Sequence, residues 1–312
     1  MRKLKLGLIG IVVFALTLFL TVYGANEVRT FQLTILHSND FHGANLPSLA
    51  RQATLIKQIR SQEQNVLVLN GGDVFSRGPY HHYFYGQLEF DVLNAMGTDA
   101  LTLGNNEFKA AADRSLSQQY LFARINQAKF PVLCANVLRE QDGKYLPNVK
   151  PYVIKKMGSI RIGILGVSAN RIKKYPQAKG FIVRDQIKTA QEIYPKVAAE
   201  SEIVIALTHI GFKKDRVLAE TIPSLAAIIG ADSHTLLEEP VTVGKTPIVQ
   251  AGVNGNYLGR LDLTFEYTRK GWILKQYQGK VIKLDAAIKE DPEIKKIIDR
   301  YLAVVPQKAA GL

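Results

Sequence analysis

Five apolar runs in this 312-residue chain each end in side chains that can bind a metal ion. With their polar ends, these runs are Ile35–Gly43, Leu67–Asp73, Leu101–Glu107, Ile203–His209 and Ala227–His234. Apolar runs of this length, rich in β-branched residues, are typical of buried strands. In open α/β sheets, ligands bind beyond the carboxyl ends of the strands. The repeated pattern therefore favours an α/β fold with a polar site where the strands end.

Helical periodicity fills most of the gaps between these runs. We predict helices with one apolar face over 48–62, 88–96, 115–127 and 185–201. A fourth strand is predicted over 131–137 and a strand pair over 152–167. After residue 247 the pattern changes to strand alternation, and Asp291–Pro292 then begins a closing helix. This order predicts a four-layer α/β/β/α sandwich of two mixed sheets flanked by helices.

The first 24 residues are predicted to be a targeting segment. Arg2, Lys3 and Lys5 precede the apolar run over 6–22, which is the order found in secretory signal peptides. The run is close to the lower length limit for crossing a bilayer, so an uncleaved N-terminal membrane anchor remains the alternative. In both cases the body of the protein, predicted as one domain over 30–305, would be secreted or lie on the outer face of the cytoplasmic membrane.

The net charge of +13 favours anionic partners such as phosphate esters, nucleic acid or acidic lipids. The basic residues form scattered pairs rather than one dense tract, so no specific nucleic-acid partner is inferred. The single cysteine, Cys134, excludes an internal disulfide framework and is predicted to be a small core residue.

Seven side chains after the apolar runs have the chemistry of metal ligands: Asp40, His42, Asp73, Asn105, His209, Asp232 and His234. Carboxylate, amide and imidazole donors suit Mn, Zn, Fe or Mg rather than a soft-metal centre. Two divalent ions about 4 Å apart need a shared carboxylate, because the ions repel one another strongly at that distance. Seven donors satisfy two such ions and leave positions for water and substrate. We therefore predict two divalent metal ions as cofactors.

In this order, the five blocks resemble the signature blocks of the metallophosphoesterase (calcineurin-like phosphoesterase) superfamily. They read Ile-Leu-His-Ser-Asn-Asp-Phe-His-Gly, Gly-Gly-Asp, Gly-Asn-Asn-Glu-Phe, Thr-His-Ile-Gly and Asp-Ser-His-Thr. The resemblance covers about residues 31–284 and is nearest to the catalytic domain of secreted bacterial 5′-nucleotidases. It implies two metal sites that share Asp73, the first from Asp40, His42 and His234 and the second from Asn105, His209 and Asp232. It also implies hydrolysis of a small anionic phosphate ester, with a metal-activated hydroxide attacking phosphorus in line.

Two departures from the family pattern concern proton transfer. Where the family has Gly-Asn-His-Glu-Phe-Asp, this chain has Gly104-Asn-Asn-Glu-Phe-Lys109, so Asn106 and Lys109 replace the leaving-group catalyst and its partner. Asn106 cannot act as an acid, although its amide can donate a hydrogen bond to a phosphate oxygen. General acid–base catalysis is typically worth about 10² to 10⁴-fold. We therefore predict slow turnover of esters with poor leaving groups.

A third departure is Asp232, where the family usually has His; the added negative charge favours harder ions such as Mn or Mg. His82, or its neighbour His81, is a candidate substitute acid, and Arg77 in the same loop is a candidate clamp for a phosphoryl oxygen. The alternative for the two histidines is a surface pair with no part in catalysis.

The main functional hypothesis is an exported metal-dependent phosphoesterase with a weakened acid step. A second hypothesis is a catalytically impaired, metal-binding relative that acts as a binding or regulatory protein. A third is a related hydrolase of a non-phosphate ester, such as a sulfur compound. No C-terminal nucleotide-recognition domain is expected, so specificity for nucleotides does not follow from the resemblance.

Overall fold

A computed structural model describes residues 29–306 of the protein, and most of its strands form two mixed sheets. The first sheet contains β1 (Thr30–Ser38), β2 (Val66–Asn70), β3 (Ala100–Thr102), β4 (Val132–Leu133), β6 (Val149–Lys150), β14 (Tyr257–Thr268) and β15 (Gly271–Lys283). The second contains β7 (Tyr152–Met157), β8 (Ile160–Ser168), β10 (Ile203–His209), β11 (Ala227–Ile229), β12 (Val241–Val243) and β13 (Thr246–Val249). Two further short strands, β5 (Val137–Arg139) and β9 (Phe181–Val183), pair with each other in antiparallel orientation.

The helices of the described residues surround these sheets. They are α1 (Leu46–Gln62), α2 (His81–Phe84), α3 (Gln87–Ala95), α4 (Arg114–Gln127), α5 (Gln186–Glu200), α6 (Phe212–Thr221) and α7 (Pro292–Leu302), with short 3₁₀-helices at Asn106–Lys109, Asn170–Lys174 and Pro176–Ala178. Asp113, Asp185 and Asp291 begin α4, α5 and α7 because their side chains accept hydrogen bonds from backbone N–H groups of the first turn.

The strand order of each sheet places the carboxyl ends of several parallel strands at the same edge of the sheet. The first sheet has the order β15-β14-β1-β2-β3-β4-β6, in which β1, β2, β3, β4 and β6 run parallel to one another. The second has the order β12-β13-β11-β10-β8-β7, in which β13, β11, β10 and β8 are parallel. The loops that leave β1, β2, β3, β8, β10 and β11 carry the polar residues considered below.

Alternating side chains of the central strands divide the interior into three cores. Ile35 of β1 and Ile205 of β10 both lie in the core that residues of the two sheets share. Their neighbours point the other way: Leu36 packs in a core with apolar residues of α1, α3, α4 and α7, and Val204 packs with residues of α5 and α6. This two-residue period gives the layer order helix, sheet, sheet, helix, so the predicted four-layer sandwich is confirmed.

Most predicted elements are present, but the fourth strand is wrong in its extent. The helices predicted over 48–62, 88–96, 115–127 and 185–201 have bounds within two residues of these values, and β7 pairs antiparallel with β8 as predicted. The run over 131–137 instead splits into β4 and β5. Asn136 explains the break, because its side chain accepts the Ser168 N–H (2.8 Å) and donates to the Ser168 carbonyl (2.9 Å). Cys134 is buried in the core, as predicted.

The predicted targeting segment over 1–24 lies outside the described residues. Within residues 29–306, none of the helices combines the length and the apolar character that a membrane crossing requires.

Candidate metal centre

All seven predicted metal ligands lie at or just beyond the carboxyl ends of strands. Asp40 and His42 follow β1, Asp73 follows β2, Asn105 follows β3, His209 ends β10, and Asp232 and His234 follow β11. The first five of these residues are buried, whereas Asp232 and His234 are partly exposed as whole residues. The two sheets therefore bring polar side chains from five separate blocks of sequence to one place.

Backbone hydrogen bonds fix the loops that carry these side chains. The N–H of Asp40 donates to the Gly72 carbonyl (2.9 Å) and that of His42 to the Asp73 carbonyl (3.0 Å), which joins the loops after β1 and β2. The N–H of Asp232 donates to Oδ2 of Asp40 (3.0 Å), which joins the first sheet to the second. The positions of the donors are thus set by the backbone as well as by the side chains.

Asp40, His42 and His234 form one group that could hold a metal ion. Oδ1 of Asp40 lies 3.3 Å from Nε2 of His234 and 3.8 Å from Nε2 of His42, and the two Nε2 atoms are 3.2 Å apart. Burial lowers the pKa of His42 to about 4. The imidazole is therefore neutral at neutral pH, the form in which histidine binds a metal.

Asp40, Asp73 and His209 form a second such group, so that Asp40 belongs to both. Nε2 of His209 lies 3.3 Å from Oδ2 of Asp73 and 3.3 Å from Oδ1 of Asp232. Nδ1 of His209 donates to the Gly71 carbonyl (2.7 Å), which leaves Nε2 directed at the carboxylates. Burial opposes charge on both members of the pair, but their mutual attraction lowers the pKa of Asp73 and raises that of His209.

A buried oxygen without a hydrogen-bond partner shows that this centre suits a cation. Within the described part of the chain, Oδ1 of Asp40 is buried and makes no hydrogen bond. Such an unpaired buried group costs about 1–3 kcal/mol. A divalent ion at Oδ1 of Asp40 removes that cost, and oxygen and imidazole donors together suit Mn, Zn, Fe or Mg. These residues therefore fit a divalent metal ion.

Glu107 ends the third of the five apolar runs but was not among the seven predicted metal ligands. Its side chain is completely buried and accepts three backbone hydrogen bonds, from Asp73 (3.0 Å), Val74 (2.8 Å) and Gly104 (2.7 Å). Burial and the neighbouring Asp73 carboxylate raise the pKa of Glu107, while the three N–H donors favour its charged form. Glu107 thereby positions the turn that carries Asp73. The sequence block that contains Glu107 could not predict this role, because residue spacing does not show which backbone groups a side chain will bind.

Asn106 contacts a predicted metal ligand directly. Its Nδ2 donates to Oδ2 of Asp73 (2.6 Å) and lies 3.3 Å from Nδ1 of His42, and its N–H donates to Oδ1 of Asp73 (2.7 Å). Nζ of Lys109 lies 4.9 Å from the centre of the Tyr175 ring, whose hydroxyl accepts a hydrogen bond from Asn105. These two residues therefore orient neighbouring groups and offer no acid in place of the family's histidine.

The candidate residues that follow Asp73 differ in their burial and in their contacts. Arg77 is exposed, its N–H donates to the His42 carbonyl (3.1 Å), and its charge opposes protonation of His42. His81 is buried, and its Nε2 donates to the Ala110 carbonyl (2.7 Å). His82 is exposed, and its ring contacts those of His81 and Tyr85. Arg77 thus lies at the rim, while a catalytic role of His82 stays a prediction.

Arg171 is a further residue that the sequence pattern did not reveal. It follows β8 in the 3₁₀-helix Asn170–Lys174. Nε and Nη2 donate to Oδ1 of Asn105 (3.0 and 2.6 Å), and Nη2 also pairs with Oδ1 of Asp232. Two of the residues predicted for the second metal site therefore bind a cation that belongs to the protein. An arginine in a loop without a recognisable motif gives no sequence-level indication of such a role.

Comparisons with known proteins agree with this geometry. The family described as calcineurin-like phosphoesterase matches residues 33–236. Over 311 residues the chain is 30% identical to the snake venom 5′-nucleotidase of Naja atra, a match that covers 87% of this chain and 57% of that protein. The chain spans about half the length of the 5′-nucleotidases that it matches.

Two solved structures have the same fold. The 5′-nucleotidase precursor from Thermus thermophilus has a TM-score of 0.78 at 26% identity, with 88% of this chain and 59% of that chain covered. The calcineurin-like phosphoesterase YfkN from Bacillus subtilis has a TM-score of 0.75 at 25% identity, with 88% of this chain and 98% of that chain covered.

Proposed function

Because the chain belongs to the calcineurin-like phosphoesterase family, we propose that it is a metal-dependent hydrolase of small phosphate esters, nucleotides among them. The observation that carries this proposal is the convergence of Asp40, Asp73, His209 and His234 from both sheets into two groups of metal donors. The likeness to 5′-nucleotidases supports nucleotides as substrates, and the basic net charge of +13 suits an anionic substrate.

The side chains of the centre have separable roles. A divalent ion bound there would supply Lewis-acid chemistry toward water and a phosphoryl oxygen. Asp40, His42 and His234 would hold it. The amide of Asn106, beside Asp73, would donate a hydrogen bond to a phosphoryl oxygen, and the exposed Arg77 would attract the phosphate to the rim.

Proton donation to the leaving group is the step that this centre supports least. Asn106 replaces the family's acid and contacts Asp73 rather than a proton donor. Without an acid, the departing oxygen must leave as an anion, which an aryl oxide does readily and an alkoxide does not. We therefore propose faster hydrolysis of aryl than of alkyl phosphates.

We also propose that the protein works outside the cytoplasm. The segment over 1–24 has the order of a secretory signal, and the Naja atra relative is a venom protein. The segment would be cleaved or would hold the protein at the membrane through residues 6–22. Mass spectrometry of the mature N-terminus distinguishes these outcomes, since a mature chain that still begins at Met1 excludes cleavage.

The departures at Asn106, Lys109 and Asp232 favour one rival, a metal-binding relative that hydrolyses nothing and acts as a binding or regulatory protein. The two functions separate in one assay. Protein stripped of metal by a chelator and reloaded with Mn²⁺ is given an aryl phosphate and an aryl phosphodiester. We expect hydrolysis of at least one of them only after reloading, and none by the Asp40→Asn variant. Reloaded protein that contains Mn²⁺ but hydrolyses neither substrate would instead support the rival.

A further inference from the structure

The donors of the two metal groups differ in what they already contact. Asp40, His42 and His234 contact one another and no positively charged side chain of the described residues at hydrogen-bond distance. Asn105 and Asp232, which the family resemblance assigns to the second metal site, both accept hydrogen bonds from Arg171. Of the second set, only Asp73 and His209 are therefore free of Arg171, because the oxygens of the other two members are bound to its guanidinium.

The identity of residue 232 supports this distinction. A neutral histidine, which the family usually has there, would have no carboxylate to offer a guanidinium. Asp232 supplies one, and Arg171 neutralises the charge that Asp232 adds. The Asp232 side chain is 7% exposed and pairs with Arg171, whose own side chain is 45% exposed. The two residues thus act as a charge-balanced pair within the centre.

The remaining contacts hold Asn105 in this arrangement. Its Nδ2 donates to the Tyr175 hydroxyl (3.2 Å) and to Oδ1 of Asn106 (3.2 Å), which directs its Oδ1 at Arg171. The guanidinium donates to two acceptors, which follow separate strands, and it carries a delocalised positive charge. A divalent ion at the same oxygens would lie against that charge, in a partly buried site where screening is weak.

We propose that the guanidinium of Arg171 takes the place of the second metal ion, so that the centre binds a single divalent ion among Asp40, His42 and His234. The chain would then combine one exchangeable cation with one permanent cation of its own. This replaces the expectation of two ions. It concerns the same centre as the proposed hydrolase, but metal content is measured without any substrate, so either proposal can fail while the other holds.

The test is the number of Mn²⁺ ions per chain. Full-length protein is stripped with a chelator, reloaded with excess Mn²⁺, separated from free ions and analysed by elemental mass spectrometry and electron paramagnetic resonance. The Arg171→Met variant removes the charge and keeps most of the side-chain length. Lys173→Met is the matched control, because Lys173 is an exposed cation in the same 3₁₀-helix.

We expect one Mn²⁺ per chain, with the spectrum of an isolated ion, for the unaltered protein and for Lys173→Met. Arg171→Met should bind two, with an exchange-coupled spectrum, because Asn105 and Asp232 become available. Two ions or none in the unaltered protein would overturn the proposal without reference to any variant. One ion in both the unaltered protein and Arg171→Met would also overturn it, because Arg171 would then not be what excludes the second ion.

Discussion

Single residues of the metal centre carry unusual backbone conformations. Among the described residues, nine that are not glycine have a positive φ. Five of the nine are predicted metal ligands, with φ between 52° and 83°: Asp40, His42, Asp73, Asp232 and His234. Asp and His tolerate this region better than most residues, but it still costs of order 1 kcal/mol or more at each position. Such strain persists only where the surrounding contacts impose it, which is typical of a functional site.

The role of Asn106 gives a prediction at this scale. In the 3₁₀-helix Asn106–Lys109, residues three apart lie on the same side, so a histidine at 106 and an aspartate at 109 would be neighbours. The double variant Asn106→His with Lys109→Asp should therefore restore an acid and its partner. We expect the turnover of an alkyl phosphate such as AMP to rise by about 10²-fold, with little change for an aryl phosphate.

The measurement is the ratio of kcat for the two substrates, determined at saturating Mn²⁺. Asn106→His alone, which lacks the carboxylate partner, is the control and should give a smaller gain. An equal rise for both substrates would show that the variant had changed metal or phosphate binding rather than proton donation.

The convergence of the candidate ligands was predictable from the sequence, and the contacts that hold them in place were not. Asp40, Asp73 and His209 stand at the ends of apolar runs, and the strand geometry alone implies that such side chains meet. Glu107 and Arg171 act through contacts with residues that are distant in sequence, and neither spacing nor periodicity encodes those contacts. For the same reason, the sequence did not indicate that Asp40 would belong to both donor groups.

At the scale of elements, the loops after β1 and β2 approach so closely that one position requires glycine. A Cβ atom on Gly78 would lie 1.8 Å from the Gly43 carbonyl oxygen, which is backbone and cannot move aside. The N–H groups of Arg77 and Gly78 both donate to the His42 carbonyl (3.1 and 2.7 Å). The contact between these loops therefore holds both His42 and Arg77 in place.

The contact between α6 and β10 makes stability depend on pH. Oδ1 of Asp215 in α6 accepts a hydrogen bond from Thr208 (2.6 Å), and its Oδ2 is buried with no hydrogen-bond partner among residues 29–306. Burial raises the pKa of Asp215 from 3.8 to about 7. The folded state thus favours the protonated acid, so its contribution to stability is complete below about pH 4 and is lost as the pH rises through 7.

Asp215→Asn removes this titration and keeps an oxygen for Thr208. Between about pH 4 and 7, the free energy of unfolding of the variant should rise relative to that of the unaltered protein, by on the order of 4 kcal/mol. Urea unfolding at several pH values measures the difference. Glu238→Gln, at an exposed carboxylate, is the control and should show no such slope. A difference for Asp215→Asn that does not change with pH would contradict the raised pKa.

At the scale of the whole molecule, the layer order followed from periodicity. Period two in the strands and 3.6 in the helices determine which faces are apolar, and four apolar layers pack in few ways. The division of 131–137 into β4 and β5 could not be predicted, because Asn136 satisfies the Ser168 backbone groups only once the two segments are adjacent. Hydrogen bonds between segments that are distant in sequence thus decided where β4 ends and β5 begins, which the local sequence left ambiguous.

Anomalous diffraction from crystals soaked in Mn²⁺ tests most directly whether side chains from separate strand ends enclose a cation. We predict the strongest anomalous peak at coordination distance from Asp40, His42 and His234. If the anomalous peaks lie only at surface carboxylates, with none among these three side chains, that result would contradict the proposed metal centre and the hydrolase activity that depends on it.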